Sequence, residues 1–211
     1  MTNEIVVINP NSSTTVTQVI RDTVAPLGPR FHCVDIPDGP TTIVTQDDVD
    51  SASPRVAALA AAQSEPAAIV IACFSDPGLA ETRARLNCPV VGIQEASVAA
   101  ALALAPKFGI IALSEGPIER HRRQLDAMGV LHRLALEVGL SGVSAQDAGH
   151  DPALYPQILA AGERLKAAGA GTVILGCGGF GPRRAVLQRD LGLPVIDPVL
   201  AAAAVALTVT D

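Results

Sequence analysis

The chain has no tryptophan, one tyrosine and four phenylalanines among its 211 residues. Aromatics make up only 2% of a composition that is 49% hydrophobic, and alanine and valine fill the gap. The core must therefore be packed from small side chains. Clustered positive charge is also missing. The net charge of −6 argues against nucleic acid as a partner, because phosphate binding needs grouped Lys and Arg. No apolar run reaches membrane-spanning length, since the oiliest segments break at Pro106-Lys107 or stop at the C-terminus. "MTNEIVVINP" lacks the basic start and the long apolar core of an export signal. A cytoplasmic setting is expected, with Cys33, Cys73, Cys88 and Cys177 as free thiols. No CxxC and no His-x-Cys cluster offers a metal cage.

What is present is alternation. Short β-rich runs at 4–8, 31–35, 68–72, 90–93, 107–112, 133–138, 172–175 and 194–196 are separated by stretches of helical spacing rich in Ala, Leu and Arg. This predicts an α/β fold of βαβ units around parallel sheet. Asp76-Pro77, Asp151-Pro152 and Asp197-Pro198 each read as an N-cap carboxylate before a proline at the first helical position. Pro156 lies about one turn into the middle helix, so a kink or a later start is expected there.

The pattern also repeats. Cys177 follows Cys73 by 104 residues, "EIVVI" (4–8) returns near "FGIIA" (108–112) at the same offset, and "CPVVG" (88–92) returns as "LPVID" (193–197) at 105. Several matches at one offset indicate duplication. Two pseudo-symmetric lobes are expected, 1–95 and 96–198, with a final helix over 199–211 packing on either lobe. Cys33 and Cys88 have no counterpart and read as core residues.

Cys73 and Cys177 both fall at the exit of an apolar strand, where parallel α/β sheets bind ligands. Facing lobes would bring both thiols to one cleft. Two thiols on opposite faces suit inversion at carbon, one removing a proton as thiolate while the other delivers one. The reaction needs a thiol of lowered pKa, which helix N-termini favour, and fixed donors for the carbanion's charge on an adjacent carbonyl. It requires no metal or organic cofactor. The turns "SDPG" and "GCGG", with Ser75 and Gly178, leave backbone N–H groups approachable.

The stretches "INPNSS" (8–13), "ACFSDPGL" (72–79), "GIQEA" (92–96) and "LGCGGF" (175–180) resemble the aspartate/glutamate/hydantoin racemase superfamily, in particular its hydantoin and allantoin racemase branch. The resemblance implies two pseudo-symmetric α/β lobes, a cofactor-independent two-base mechanism, a small-molecule substrate and a homo-oligomer. It makes Cys73 and Cys177 the acid/base pair, Asn9 a substrate-facing asparagine, and Thr42 the counterpart of a serine in a "GPxSI" loop. Where that branch carries a threonine pair after the fifth strand, this chain reads Ala112-Leu113-Ser114.

Other polar residues divide between structure and function. Asn9 and Asn11, with Ser12 and Ser13 as rivals, are candidate caps for the first helix. Glu95 caps or charges a helix start, or orients a thiol. Ser114 contacts ligand or caps a helix beginning near Pro117. His121, in "ERHRRQ", reads as part of a solvated helix face. The leading function is a racemase or epimerase acting beside a carbonyl, on a hydantoin-like or amino-acid-derived substrate. The alternatives are a decarboxylase resembling arylmalonate decarboxylase, an isomerase resembling maleate isomerase, a non-catalytic small-ligand binding protein, and a thiol redox sensor.

Overall fold

All eight β-rich runs form strands. A computed structural model describes residues 3–210, in which β1 (Ile5–Ile8), β2 (Phe31–Val34), β3 (Ala68–Ile71) and β4 (Val90–Gly92) make one parallel sheet. A second parallel sheet contains β5 (Phe108–Ala112), β6 (Leu134–Gly139), β7 (Thr172–Gly176) and β8 (Val195–Ile196). Strand order is the same in both, β2-β1-β3-β4 and β6-β5-β7-β8. The duplication read from the offsets is thus a duplication of topology. The central strands β1, β3, β5 and β7 are buried at every position, because helices cover both sheet faces.

The helices are α1 (Thr14–Val24), α2 (Gln46–Ala61), α3 (Leu79–Arg85), α4 (Ile93–Leu104), α5 (Ile118–Ala127), α6 (Tyr155–Ala167), α7 (Arg184–Leu191) and α8 (Pro198–Thr208). On the first sheet, Val6, Ile8, Ile69 and Ile71 pack against Val56 and Ala60 of α2 and Leu79 of α3. Its other face, with Ile5, Val7 and Val70, meets Val16 and Ile20 of α1 and Val199, Ala202 and Ala206 of α8. The second sheet packs Leu175 and Val173 on α6 and α7, and Phe108, Ile110 and Ile174 on Val98 and Ala101 of α4 and Leu125 of α5.

The halves therefore exchange helices. α8 follows the last strand of the second sheet yet covers the first, and α4 leaves the first sheet to cover the second. The two meet along alanine-rich flanks, and α4 straddles the 95/96 division, with Ile93 and Ala96 in the first core and Val98 and Ala101 in the second. Small side chains permit that close approach.

Capping follows the sequence reading in two places and departs from it in one. Asp197 caps α8, its Oδ1 accepting from the Leu200 N–H at 2.9 Å. Asp151 caps a 3-10 turn over Pro152–Leu154, and α6 begins after it at Tyr155. Asp76 does not cap the helix that follows it. That helix starts from Gly78, and the Asp76 carboxylate instead reaches α4, accepting from the Gln94 and Glu95 N–H groups at 3.0 Å each. The reason is steric. Gly92 at the α4 N-cap has no side chain, and a Cβ there would lie 2.3 Å from the Asp76 carboxyl carbon.

The second half mirrors this with the residues swapped. Gly181-Pro182 stands 105 residues after Asp76-Pro77, and Asp197 stands 105 residues after Gly92. A Cβ on Gly181 would lie 3.2 Å from Asp197 Oδ2. Each helix leaving a last strand is thus capped by one aspartate opposite one glycine, with the two positions interchanged.

Candidate active site

The carboxyl ends of both sheets open onto one cleft. It is lined by Ala72, Cys73, Phe74 and Ser75 after β3, and by Gly176, Cys177 and Gly178 at the end of β7. Asn11, Thr42, Leu113, Ala145 and His121 complete much of the wall. The two repeated cysteines therefore face one cavity, one from each half, and each lies close enough for a charge on Cys177 to oppose ionisation of Cys73. All four cysteines are free thiols.

Each thiol receives the backbone N–H two residues ahead: Ser75 donates to Cys73, and Gly179 donates to Cys177 at 3.4 Å. These bonds favour thiolate, yet burial outweighs them. Burial is the main cause pushing the Cys73 thiol up to about 12, aided by the charges of Cys177 and Asp76 and opposed by the Ser75 N–H and the Arg120 guanidinium. Burial also pushes Cys177 up to about 11, with the Gly179 N–H opposing and Asp197 adding. The expectation of thiols lowered by helix N-termini is thus corrected: both are raised, because burial disfavours the charged form.

The glycine-rich turns also hold fewer free donors than expected. Beyond the two N–H groups bound to sulfur, Asp76 N–H donates to the Cys73 carbonyl at 2.9 Å and Phe180 N–H to the Cys177 carbonyl at 3.3 Å.

Thr42, Ser75 and Gly178 line the cleft. The Ser75 hydroxyl accepts from Arg120 Nε at 3.1 Å, and its carbonyl accepts from Gln124 Nε2 at 2.7 Å. Asn9 and Ser114 do not line the cleft; their neighbours Asn11 and Leu113 do. Asn9 is 1% exposed, and its Nδ2 donates to Asn11 Oδ1, Ser13 O and Thr17 Oγ1 at 2.9, 3.2 and 3.0 Å. It braces the start of α1, whose cap is Ser13. Ser114 caps nothing: its Oγ is buried without a partner, and α5 begins behind Pro117. Glu95 lies in the first turn of α4 and pairs with Arg83 at 2.8 Å.

Three polar residues near the thiols escaped the sequence reading. His121 is not solvated: its side chain is 2% exposed, with Nδ1 lying 2.6 Å from Glu137 Oε1 on β6. Its ring meets Phe74 edge-on at 5.1 Å. Arg120 is buried beside them, its second bond going to the Val44 carbonyl at 3.1 Å. The charged stretch concealed a usable signal. Pro117, His121 and Leu125 recur four apart, the spacing of a buried helix stripe, and Glu137 interrupts an otherwise apolar strand. Among the described residues no three His, Cys, Asp or Glu side chains gather to hold a metal ion, and no helix is long and apolar enough to cross a membrane.

An α/β pair of four-stranded parallel sheets is shared with solved racemases. The allantoin racemase from Klebsiella pneumoniae superposes with a TM-score of 0.88 at 29% identity, covering 97% of this chain and 86% of that one. At 18% identity, a maleate cis-trans isomerase from Nocardia farcinica shares the fold, with a TM-score of 0.75 over 98% of this chain and 91% of its own. The hydantoin racemase of Paenarthrobacter aurescens is 34% identical over 210 residues, 96% of this chain and 89% of the relative. The sequence profile of Asp/Glu/Hydantoin racemase matches residues 5–206. The chain belongs to that family and is a racemase, hence an isomerase.

Proposed function

We propose that this protein inverts a stereocentre beside a carbonyl, on a hydantoin-like ring or an amino-acid derivative, with Cys73 and Cys177 as the acid/base pair and no cofactor. The observation that carries the proposal is the placement of two repeated cysteines on one cleft, one from each half, each with a matching N–H bond to sulfur. One thiolate takes the substrate's proton, and the C–H electron pair passes into the adjacent carbonyl as an enolate. The opposite thiol then gives its own proton to the other face, so the roles of the cysteines exchange with each turnover. A thiolate made costly by burial is a strong base, which suits a weak carbon acid. The Ser75 and Gly179 N–H groups and Arg120 are the features that make its formation affordable.

The hydantoin and allantoin racemases among the similar proteins support a cyclic ureide or a close relative as substrate. Thr42, Ser75 and Gly178 are the proposed substrate contacts, with Asn11 in the place first given to Asn9. A homo-oligomer in a reducing, cytoplasmic setting belongs to the same proposal. A one-cysteine decarboxylation is disfavoured because both thiols are present.

The test is polarimetry in deuterated water on a panel of chiral hydantoins, allantoin and acidic amino acids. Loss of rotation with uptake of one deuterium at the stereocentre is expected for one member. Release of carbon dioxide from a malonate without inversion of any panel member would move the protein to the decarboxylase reading.

A further inference from the structure

An enolate needs a fixed hydrogen-bond donor, and the turns after β3 and β7 have mostly spent theirs. The N–H groups of Ser75 and Gly179 are held by sulfur, and those of Asp76 and Phe180 by carbonyls. Among the ionisable side chains on the cleft wall, one besides the two thiols can serve. His121 lines the cleft, packs edge-on against Phe74 next to Cys73, and bonds Glu137 through Nδ1 at 2.6 Å. Its Nε2 meets no protein acceptor among the described residues.

We propose that His121 is a further catalytic residue, donating from Nε2–H to the substrate carbonyl as it gains enolate charge, and that Glu137 is its positioning residue. The inference rests on the racemase reading of this cleft.

Proton bookkeeping decides what Nε2 offers. The two side chains are 2% and 1% exposed, and Glu137 Oε2 has no hydrogen-bond partner. A neutral imidazole with Nδ1–H, facing a glutamate anion, leaves a net negative charge buried with a bare oxygen, which a low-dielectric site strongly disfavours. One more proton makes the pair neutral. That proton can make imidazolium and carboxylate, or a carboxylic acid that donates to Nδ1 of an Nε2–H imidazole, and both put a hydrogen on Nε2. The remaining arrangement, an acid proton on Oε2 facing Nδ1–H, buries an O–H with no acceptor and is disfavoured. The pair thus presents a donor to the cleft. Transfers to and from carbon stay with the cysteines. Such a donor acts by being in place before charge develops.

Four variants and one spectrum test this. His121→Leu removes the donor, and His121→Gln retains an N–H near the same place. With the panel member that wild type inverts, H121L is expected to lose about 10²–10³ in kcat, as for removal of one oxyanion donor. KM should change far less, and H121Q should recover most of the loss. Glu137→Gln should lower kcat rather than raise KM. Because H121L strands a buried carboxylate, H121L/E137M provides an apolar pair that folds without it, and the same kcat loss is expected there. Nitrogen-15 NMR of the wild-type protein, with His121 assigned by its absence in H121Q, should show Nε2 protonated.

A bare Nε2, or an H121L/E137M variant with wild-type kcat, would overturn the donor. A wild-type protein that inverts no panel member would instead sink the racemisation reading, and the donor's task with it, whatever the nitrogen spectrum showed.

Discussion

Interchanging Asp76 and Gly92 should convert the cap of α4 into the form the second half already uses. At pH 8, above the value of about 7 to which burial raises the Asp76 carboxyl, Asp76→Gly leaves the Gln94 and Glu95 N–H groups without their acceptor. Each orphaned donor costs about 1–3 kcal/mol. Part of this is offset, because Asp76 sits at a φ of 44°, a left-handed conformation that glycine adopts freely. A net loss of about 2 kcal/mol is expected, or about 4–8 °C in Tm at 2–4 °C per kcal/mol for a chain of this size. Gly92→Asp alone forces a Cβ to within 2.3 Å of the Asp76 carboxyl carbon and should cost about 3 kcal/mol through overpacking.

Together the two changes should nearly cancel. Gly92 has φ −87° and ψ 140°, close to the −82° and 123° of Asp197, so an aspartate there can cap α4 as Asp197 caps α8. The double variant is expected within about 1 kcal/mol of wild type, a coupling of about 4 kcal/mol against the ~0.5 typical of independent sites. With no tryptophan and one tyrosine, the assay is urea unfolding followed by far-ultraviolet circular dichroism, with the m-value held constant. A double variant no more stable than the weaker single would refute the exchanged-cap reasoning.

Other outcomes follow from the same structure. Asn9→Ala should lower stability by about 2–3 kcal/mol, because it strips donors from three buried acceptors near α1. If Asn9 acts as a brace, substrate KM should change little in the folded fraction. Asp76 and Asp197 are raised, mainly by burial, to about 7 and about 6. Since both exceed the unfolded value near 4, the fold binds more protons than the unfolded chain between those limits. Stability should therefore fall as pH rises from about 4 to about 7 and level off above; a higher urea midpoint at pH 8 than at pH 5 would contradict this. Cys73 and Cys177, raised to about 12 and about 11, should react slowly with iodoacetamide at neutral pH and faster as pH climbs toward those values. Fast alkylation of both at pH 7 would contradict the burial argument.

The strands were legible because β1, β3, β5 and β7 are buried on both faces and so read as uncharged runs rich in Ile, Val and Leu. The paired cysteines were legible because duplication preserved both the strand exit and the offset. The exchange of α4 and α8 was not. Both helices are apolar nearly all round, so periodicity marks no face and cannot say which sheet they cover. Asp76 was misassigned because a cap rule is local, whereas its acceptor role is set by a gap at Gly92, 16 residues away. His121 and Glu137 were hidden for opposite reasons: charged neighbours concealed the first, and an apolar strand concealed the second. Their pairing is a contact between α5 and β6, which no spacing within either segment reveals.

The sharpest test replaces each cysteine by serine and follows the α-hydrogen of the two enantiomers separately in deuterated water. If Cys73 and Cys177 work from opposite sides of one stereocentre, neither C73S nor C177S will invert substrate, and any residual exchange will favour one hand in C73S and the other in C177S. Full racemisation by both single variants, or residual exchange from the same hand in each, would show that the proton moves by another route.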